Sequence, residues 1–347
     1  MLLDGKHILV TGGTGSLGQK VVERLLTGEL GTPAKITVFS RDEAKQHYMR
    51  VRYLNRREVT DEVIYRNFKE LLTFRIGDVR DYSSVLQAVS HADYVIHAAA
   101  LKQVPTCEYF PYQAVQTNIL GVQNIVRAIR ENQTSVKKVV GISTDKACKP
   151  INVMGLTKAV MERILVEANV DCPDTIFALV RYGNVIASRG SVIPFFLDQI
   201  TNGGPVTITL RTMTRFLLTL DQAVDTVFAA MLHARAGETY IPKVPAARIT
   251  DLAEVLIGDR DISIQEIGIR PGEKIHELMV SEEERYRTIE RDGYYVILPM
   301  LPELQVEPLA EPALNSEFSS SDVTLDHESL RELLAPYLSE LPAGVAA

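Results

Sequence analysis

A chain of 347 residues, 46% hydrophobic and 23% charged, has the apolar material for one large α/β domain with a smaller lobe attached. Its formal net charge is −7, yet residues 301–347 hold nine acids and one arginine, which leaves the first 300 residues near +1. With no basic block interleaved with aromatics the composition argues against a nucleic-acid partner, and three cysteines without C-x-x-C spacing, Cys107, Cys148 and Cys172, argue against a disulfide framework or a zinc site.

In chain order, Met1 to Val10 places Asp4, Gly5 and Lys6 ahead of an apolar run too short for a signal-peptide core or a membrane span. A cytoplasmic, reducing location with no membrane partner is expected. Short β-branched runs follow at Lys6–Thr11, Lys35–Ser40, Leu71–Ile76, Tyr94–Ala98, Lys137–Ser143 and Thr175–Arg181. Between them lie amphipathic segments of crossover length, among them Ser16–Glu29, Pro111–Asn132 and Ile151–Asn169. Strands alternating with helices predict a doubly wound parallel α/β sheet covered on both faces. After Arg181 the rhythm breaks at Gly203-Gly204-Pro205 and Arg270-Pro271-Gly272, where a smaller C-terminal substrate lobe is expected. Leu217–Ala234 reads again as strand then helix. The expected division is 1–183, with 211–244, for the dinucleotide domain and 184–210 with 245–300 for the lobe. The acidic segment 301–347 reads either as a solvated tail or, through a helix at Leu325–Leu338, as a docked cap.

The cofactor signals come early. Gly12, Thr14, Gly15, Ser16, Leu17 and Gly18 form a Gly-x-x-Gly-x-x-Gly turn between the first strand and the first helix. Such glycines permit a tight turn, admit a pyrophosphate to the backbone and aim a helix N-terminus at its charge. At the end of the second strand an acid would accept the adenosine ribose hydroxyls of NAD, but Ser40-Arg41 stands there, a pair suited to a 2′-phosphate. NADP is therefore expected over NAD, although Arg41 is also suited to a solvated helix start and Asp42 to a helix cap. Further on, Asp78 with Val79 ends a strand where its carboxylate suits the adenine amino group, and Ala98, Ala99 and Ala100 are small enough for ribose and nicotinamide to lie against the backbone.

These segments, together with His97–Pro105, Thr117-Asn118-Ile119-Leu120-Gly121, Ser143–Ala147, Arg181–Val185, Ser188–Pro194, Met213–Phe216 and Arg270–Lys274, resemble the extended short-chain dehydrogenase/reductases with a Rossmann-type sheet. Within them the chain is similar to the polysaccharide-biosynthesis group of inverting UDP-N-acetylglucosamine 4,6-dehydratases. The likeness runs from residue 5 to about residue 280. Relatives carry tyrosine where this chain has Met154, four residues before Lys158, and the Met-x-x-x-Lys form resembles a capsule and O-antigen subgroup that couples dehydration to C5 epimerisation. A thioether is neither acid nor base, so the proton that a phenol would carry must travel elsewhere.

What the resemblance implies is a tightly bound, recycled NADP, a UDP-sugar substrate and a homo-oligomer. It implies Lys146 as the base at C5 and Asp145 as the acid for the C6 hydroxyl, each needing a pKa moved towards neutrality. Thr144 would hydrogen-bond the C4 oxygen, and Lys158 would span the ribose hydroxyls. Asn118 would hold a relay water or support the backbone near that lysine. With Met154 inert, the O4 proton has two routes, through Thr144 and water to Lys158 or directly to Lys146. Arg189, Arg215 and Arg270 are candidates for the diphosphate, Asn184 for the nucleotide and Glu273 for the uridine ribose, while Lys102 reads either as a contact to the sugar or diphosphate or as structural. His97 and Cys148 read as buried structural groups. Two other readings stay open: a UDP-hexose 4-epimerase, which needs neither a C5 base nor a C6 acid, and a non-catalytic NADP-binding sensor or scaffold.

Overall fold

The computed structural model of the chain describes residues 1–54, 70–132, 134–186, 191–305 and 311–338. Its centre is a nine-stranded sheet in the order β3-β2-β1-β4-β5-β6-β10-β15-β14. These strands are β1 (His7–Thr11), β2 (Lys35–Ser40), β3 (Leu72–Ile76), β4 (Tyr94–His97), β5 (Lys138–Thr144), β6 (Ile176–Tyr182), β10 (Thr239–Pro242), β14 (Thr288–Arg291) and β15 (Tyr294–Ile297). Every pairing from β3 through β10 is parallel, and the β14–β15 hairpin adds antiparallel to β10. The doubly wound parallel sheet expected from the sequence is what the chain forms.

Helices α1 (Ser16–Leu26), α2 (Glu43–Leu54), α3 (Tyr82–Val89), α4 (Gly121–Glu131), α5 (Val153–Asp171), α6 (Val192–Thr201), α7 (Leu220–His233), α8 (Ile249–Ile257) and α9 (His327–Leu338) follow the strands or build the lobe. Val21, Val22 and Leu25 of α1 and Val224 and Val227 of α7 close one apolar layer on the sheet. Val85, Ile125, Met161 and Leu165 of α3, α4 and α5 close the other. The 3.6-residue spacing of these side chains is what turns the segments into crossover helices, since each buries a single stripe.

Three differences from the expected layout have physical causes. The segment 111–132, expected as one helix, is interrupted by a π-helical turn, Val115–Leu120, which rolls Asn118 inward. β9 (Thr214–Leu218) pairs with β7 (Asn184–Val185) and β11 (Ala246–Arg248) in a separate small sheet, while α7 and β10 return to the large one. The stretch 288–297, expected in the lobe, instead extends the large sheet, because β10 would otherwise be an open edge.

The lobe has its own core around Ile193, Phe196, Leu252 and Leu256, and α9 inserts Leu330 and Leu334 into it. The described part of the acidic segment is thus docked, with Phe318–Ser319 (β16) paired antiparallel to Leu278–Val280 (β13). Strand order reverses between β1 and β4, and an open α/β sheet offers its crevice at the C-terminal strand ends beside such a switch.

Candidate active site

At that switch the turn after β1 is packed to the limit. Gly12 sits at φ 66°, and a Cβ there would lie 2.7–2.8 Å from the backbone of Ala98 and Ala99, so only glycine allows β1 and β4 to end together. The N-cap of α1 is Gly15, with no side-chain cap and no acid in the first turn, which leaves the amide end of the helix suited to a pyrophosphate. Thr14 and Ser40 share a 2.8 Å hydrogen bond, closing the space beside the turn. Arg41 is exposed, with Nη1 3.8 Å from Asp78 Oδ2. The Asp78 carboxylate is itself gripped by Arg80, at 2.6–3.0 Å, so a role towards adenine would have to be shared with that pair. Val79 is buried, and Ala98–Ala100 are half-buried along the strand end. These residues fit a dinucleotide with its pyrophosphate on α1.

β5 delivers the next group. Its last residue, Thr144, caps a short 3-10 turn, Asp145–Ala147, and its hydroxyl donates to Asp145 Oδ1 at 2.8 Å. Asp145 is fully buried, and its Oδ2 has no hydrogen-bond partner among the described residues. Lys146 Nζ donates to Asp145 Oδ1 at 3.0 Å and to Asn184 Oδ1 at 3.2 Å, and lies 3.4 Å from Glu277 Oε1. Burial would depress this ammonium, but the carboxylates of Asp145 and Glu277 more than reverse it and hold the pKa above the ordinary lysine value. The expected move towards neutrality is therefore not the resting state of Lys146.

The second lysine comes from α5. Asn152 caps that helix by accepting from Gly155 N at 2.8 Å, and Gly155 lies so close to the turn before it that a Cβ would meet Lys146 O at 2.2 Å. Met154 is buried in an apolar nest with Cys107 and Ala114, lined further by Leu101, Val104 and Val153. Lys158 Nζ donates to Ile142 O at 2.7 Å and to Met161 Sδ at 3.3 Å. Burial, only partly opposed by Glu162, brings its pKa down to about 8. Asn118 accepts from Leu101 N at 2.8 Å and donates to Leu101 O at 2.9 Å and to Thr157 Oγ1 at 3.0 Å.

The remaining candidates spread out. Asn184 meets Lys146 directly. Arg215 is buried and donates to Thr214 O and Ile275 O, at 2.8 and 3.2 Å, bracing the loop that carries Glu277. Glu273 accepts from Thr209 Oγ1 at 3.2 Å, whereas Arg270 and Lys102 are exposed. Arg189 lies outside the described residues. His97 is wholly buried, shares a 2.8 Å hydrogen bond with Thr11 and is brought down to about 3 by burial, so it stays neutral. Burial pushes the Cys148 thiol up to about 12, consistent with packing.

Two features were not singled out from the sequence. One is Glu277, whose only signal was an acid directly before the apolar run of β13. The other is Arg181, which bridges Glu162 at 2.6 Å and Glu284 at 2.8 Å and so ties β6 to α5 and to the capped turn Glu282–Arg285. Burial alone would raise the Glu284 carboxyl; the Arg181 guanidinium overrides this and holds it at about 2.

No helix of the described residues is long and apolar enough to cross a membrane. A protein from Rickettsia akari called UDP-glucose 4-epimerase is 45% identical over 298 residues, covering 84% of this chain and 82% of that protein. One of the same name from Rickettsia conorii is 43% identical over 341 residues, 95% of each. The X-ray structure of Pen from Bacillus thuringiensis superposes with a TM-score of 0.84 at 36% identity, covering 97% of this chain and all of that one. The family of polysaccharide biosynthesis proteins matches residues 8–299. With its doubly wound sheet, glycine turn and Thr144–Lys146 strand end, the chain belongs to that polysaccharide-biosynthesis family of extended short-chain dehydrogenase/reductases.

Proposed function

We propose that the protein dehydrates UDP-N-acetylglucosamine across C5 and C6 with inversion at C5, giving a UDP-2-acetamido-2,6-dideoxy-4-keto-hexose for surface polysaccharide. The observation that carries this reading is the 3.0 Å contact between the half-buried Lys146 and the fully buried Asp145 just past the end of β5. Oxidation and reduction at C4 alone need one proton carrier; an acid and a base in direct contact beyond it suit an elimination.

When bound, NADP would supply hydride acceptance from C4 and hydride return to C6. The Ser40-Arg41 pair supports NADP, with Gly12–Gly18 and Lys158 holding it. The chain's own groups handle the protons. At rest Lys146 is an ammonium and Asp145 a carboxylate. Passing one proton from Nζ to Asp145 Oδ1 makes both ready together, a neutral amine to take the C5 proton and a carboxylic acid to protonate the departing C6 hydroxyl. After water leaves, Lys146 is again an ammonium and Asp145 again a carboxylate, so the pair needs no outside proton. As the hydride returns to C6, a water on the face away from Lys146 gives a proton to C5 and so inverts that centre, and the proton lost from O4 to solvent balances it. Lys158, near pKa 8, supports the O4 proton route through Thr144 and water, since Met154 carries no proton. Asn184, Glu273, Arg270 and Arg189 are proposed to hold the UDP portion and Lys102 the sugar; cytoplasmic action as a homo-oligomer completes the reading.

A second reading has one specific support: the Rickettsia relatives are called UDP-glucose 4-epimerase. Incubation with UDP-N-acetylglucosamine in deuterated water, followed by NMR, separates the two. Dehydration gives a 6-deoxy-4-keto sugar with deuterium at an inverted C5; a C4 diastereomer without C5 deuterium would reject it. The nucleotide released on denaturing the protein is expected to be NADP.

A further inference from the structure

Glu277 is a buried carboxylate surrounded by three cations. Its Oε1 lies 3.4 Å from Lys146 Nζ and 4.0 Å from Arg215 Nε, and Lys274 Nζ lies 3.9 Å from Oε2. Only 3% of the side chain is exposed, and Oε2 has no hydrogen-bond partner among the described residues. A charge buried this deeply is costly unless it is used by its neighbours. Its backbone is fixed from two directions: Glu277 N donates to Ser320 Oγ at 2.9 Å, and Ser320 N donates back to Glu277 O at 2.9 Å. The carboxylate therefore reaches Lys146 from the lobe, across from the β5 turn that carries the lysine itself.

We propose that Glu277 is a positioning residue for Lys146, holding its nitrogen as the third corner of a tripod with Asp145 and Asn184 and setting the pH at which that amine releases its proton. The proposal deepens the dehydration reading and rests on it for the task of Lys146, whereas the coupling between the two side chains is a property of the chain alone. Around the amine, Asp145 and Glu277 favour its charged form, Arg215 opposes it, and Asn184 contributes a neutral acceptor. Neutralising Glu277 removes an attraction and leaves the repulsion from Arg215, so the proton on Lys146 is held less tightly. Because Glu277 acts through the position and proton of Lys146, a kcat effect with little change in KM is expected.

The test uses the full-length protein as wild type, Glu277→Gln and Glu277→Asp, with thermal unfolding as the check on folding. Competitive acetylation with acetic anhydride across pH, read at the Lys146 peptide by mass spectrometry, reports the proton on that amine. Its midpoint should fall by about one pH unit or more in Glu277→Gln, and by less in Glu277→Asp, which keeps the charge one methylene further away. In parallel, the falling limb of C5 deuterium incorporation from UDP-N-acetylglucosamine at high pH, where the pair loses the proton it shares, should move to lower pH by the same interval. The kcat should drop roughly 10- to 100-fold in Glu277→Gln, with recovery in Glu277→Asp. An unmoved Lys146 midpoint in folded Glu277→Gln overturns the proposal. A midpoint that moves in Glu277→Gln while the wild type incorporates no deuterium keeps the coupling and rejects the dehydration reading instead.

Discussion

Lys146 and Lys158 are supplied by adjoining pieces of chain, pressed together where Gly155 meets the Lys146 carbonyl, yet their nitrogens live in opposite surroundings. Lys146 has two carboxylates and an amide oxygen about it and is held above the ordinary lysine value. Lys158 has a backbone carbonyl and a thioether and is brought down to about 8. Burial works in the same direction on both; the partner set decides the outcome. One lysine is thus built to give back a proton it holds firmly, and the other to exchange one near neutral pH.

The strongest way to break this contrast is to delete the charged partner of Asp145. Lys146→Ala should lower dehydration roughly 10²- to 10⁴-fold and also lower the unfolding midpoint, since it takes a shared cation from the buried Asp145 and Glu277 carboxylates. Retained turnover in a folded Lys146→Ala protein would discard the acid–base pair altogether.

The second lysine sharpens the contrast through pH. If Lys158 works as a proton acceptor, kcat rises with pH through about 8, and Lys158→Met should flatten that limb while lowering kcat roughly 10- to 100-fold. Stability offers an independent reading with the sign fixed by linkage. A lysine depressed in the fold binds fewer protons folded than unfolded between about 8 and its ordinary value of 10.5, so the wild type gains stability as pH rises through that window. The methionine variant should lack this gain, measurable by denaturant unfolding at pH 8 and pH 10.

The smallest expected effect is at Met154. Met154→Tyr adds volume to the nest with Cys107 and Ala114 and should cost about 1–3 kcal/mol of stability with no gain in turnover. Faster turnover in that variant would mean that a phenol can still enter the proton route, and the division of labour between the lysines would have to be redrawn.

How much of this was readable beforehand depends on range. The strand rhythm and the Gly12–Gly18 turn are local patterns, and β2 and α1 begin where those patterns place them and β1 one residue later, because periodicity and glycine conformational freedom act within a few residues. Thr144, Asp145 and Lys146 were visible for the same reason: consecutive residues at a strand end stay together in any fold that keeps the strand. The π-helical turn was hidden, since the interaction that favours it runs from Asn118 to Leu101 and Thr157, across three segments. The return of 288–297 to the large sheet was likewise a matter of an open edge at β10 that no local pattern records.

By itself the sequence determined which chemical groups are available: two lysines, an adjacent acid, a methionine in place of a phenol, and a turn built for a dinucleotide. Tertiary structure decided their charge states, because Glu277 approaches Lys146 from a part of the chain more than a hundred residues away and Ile142 O reaches Lys158 from a neighbouring strand. Proton affinity follows from the field of whatever lies within a few ångströms, and that neighbourhood exists only once the lobe has closed against the sheet.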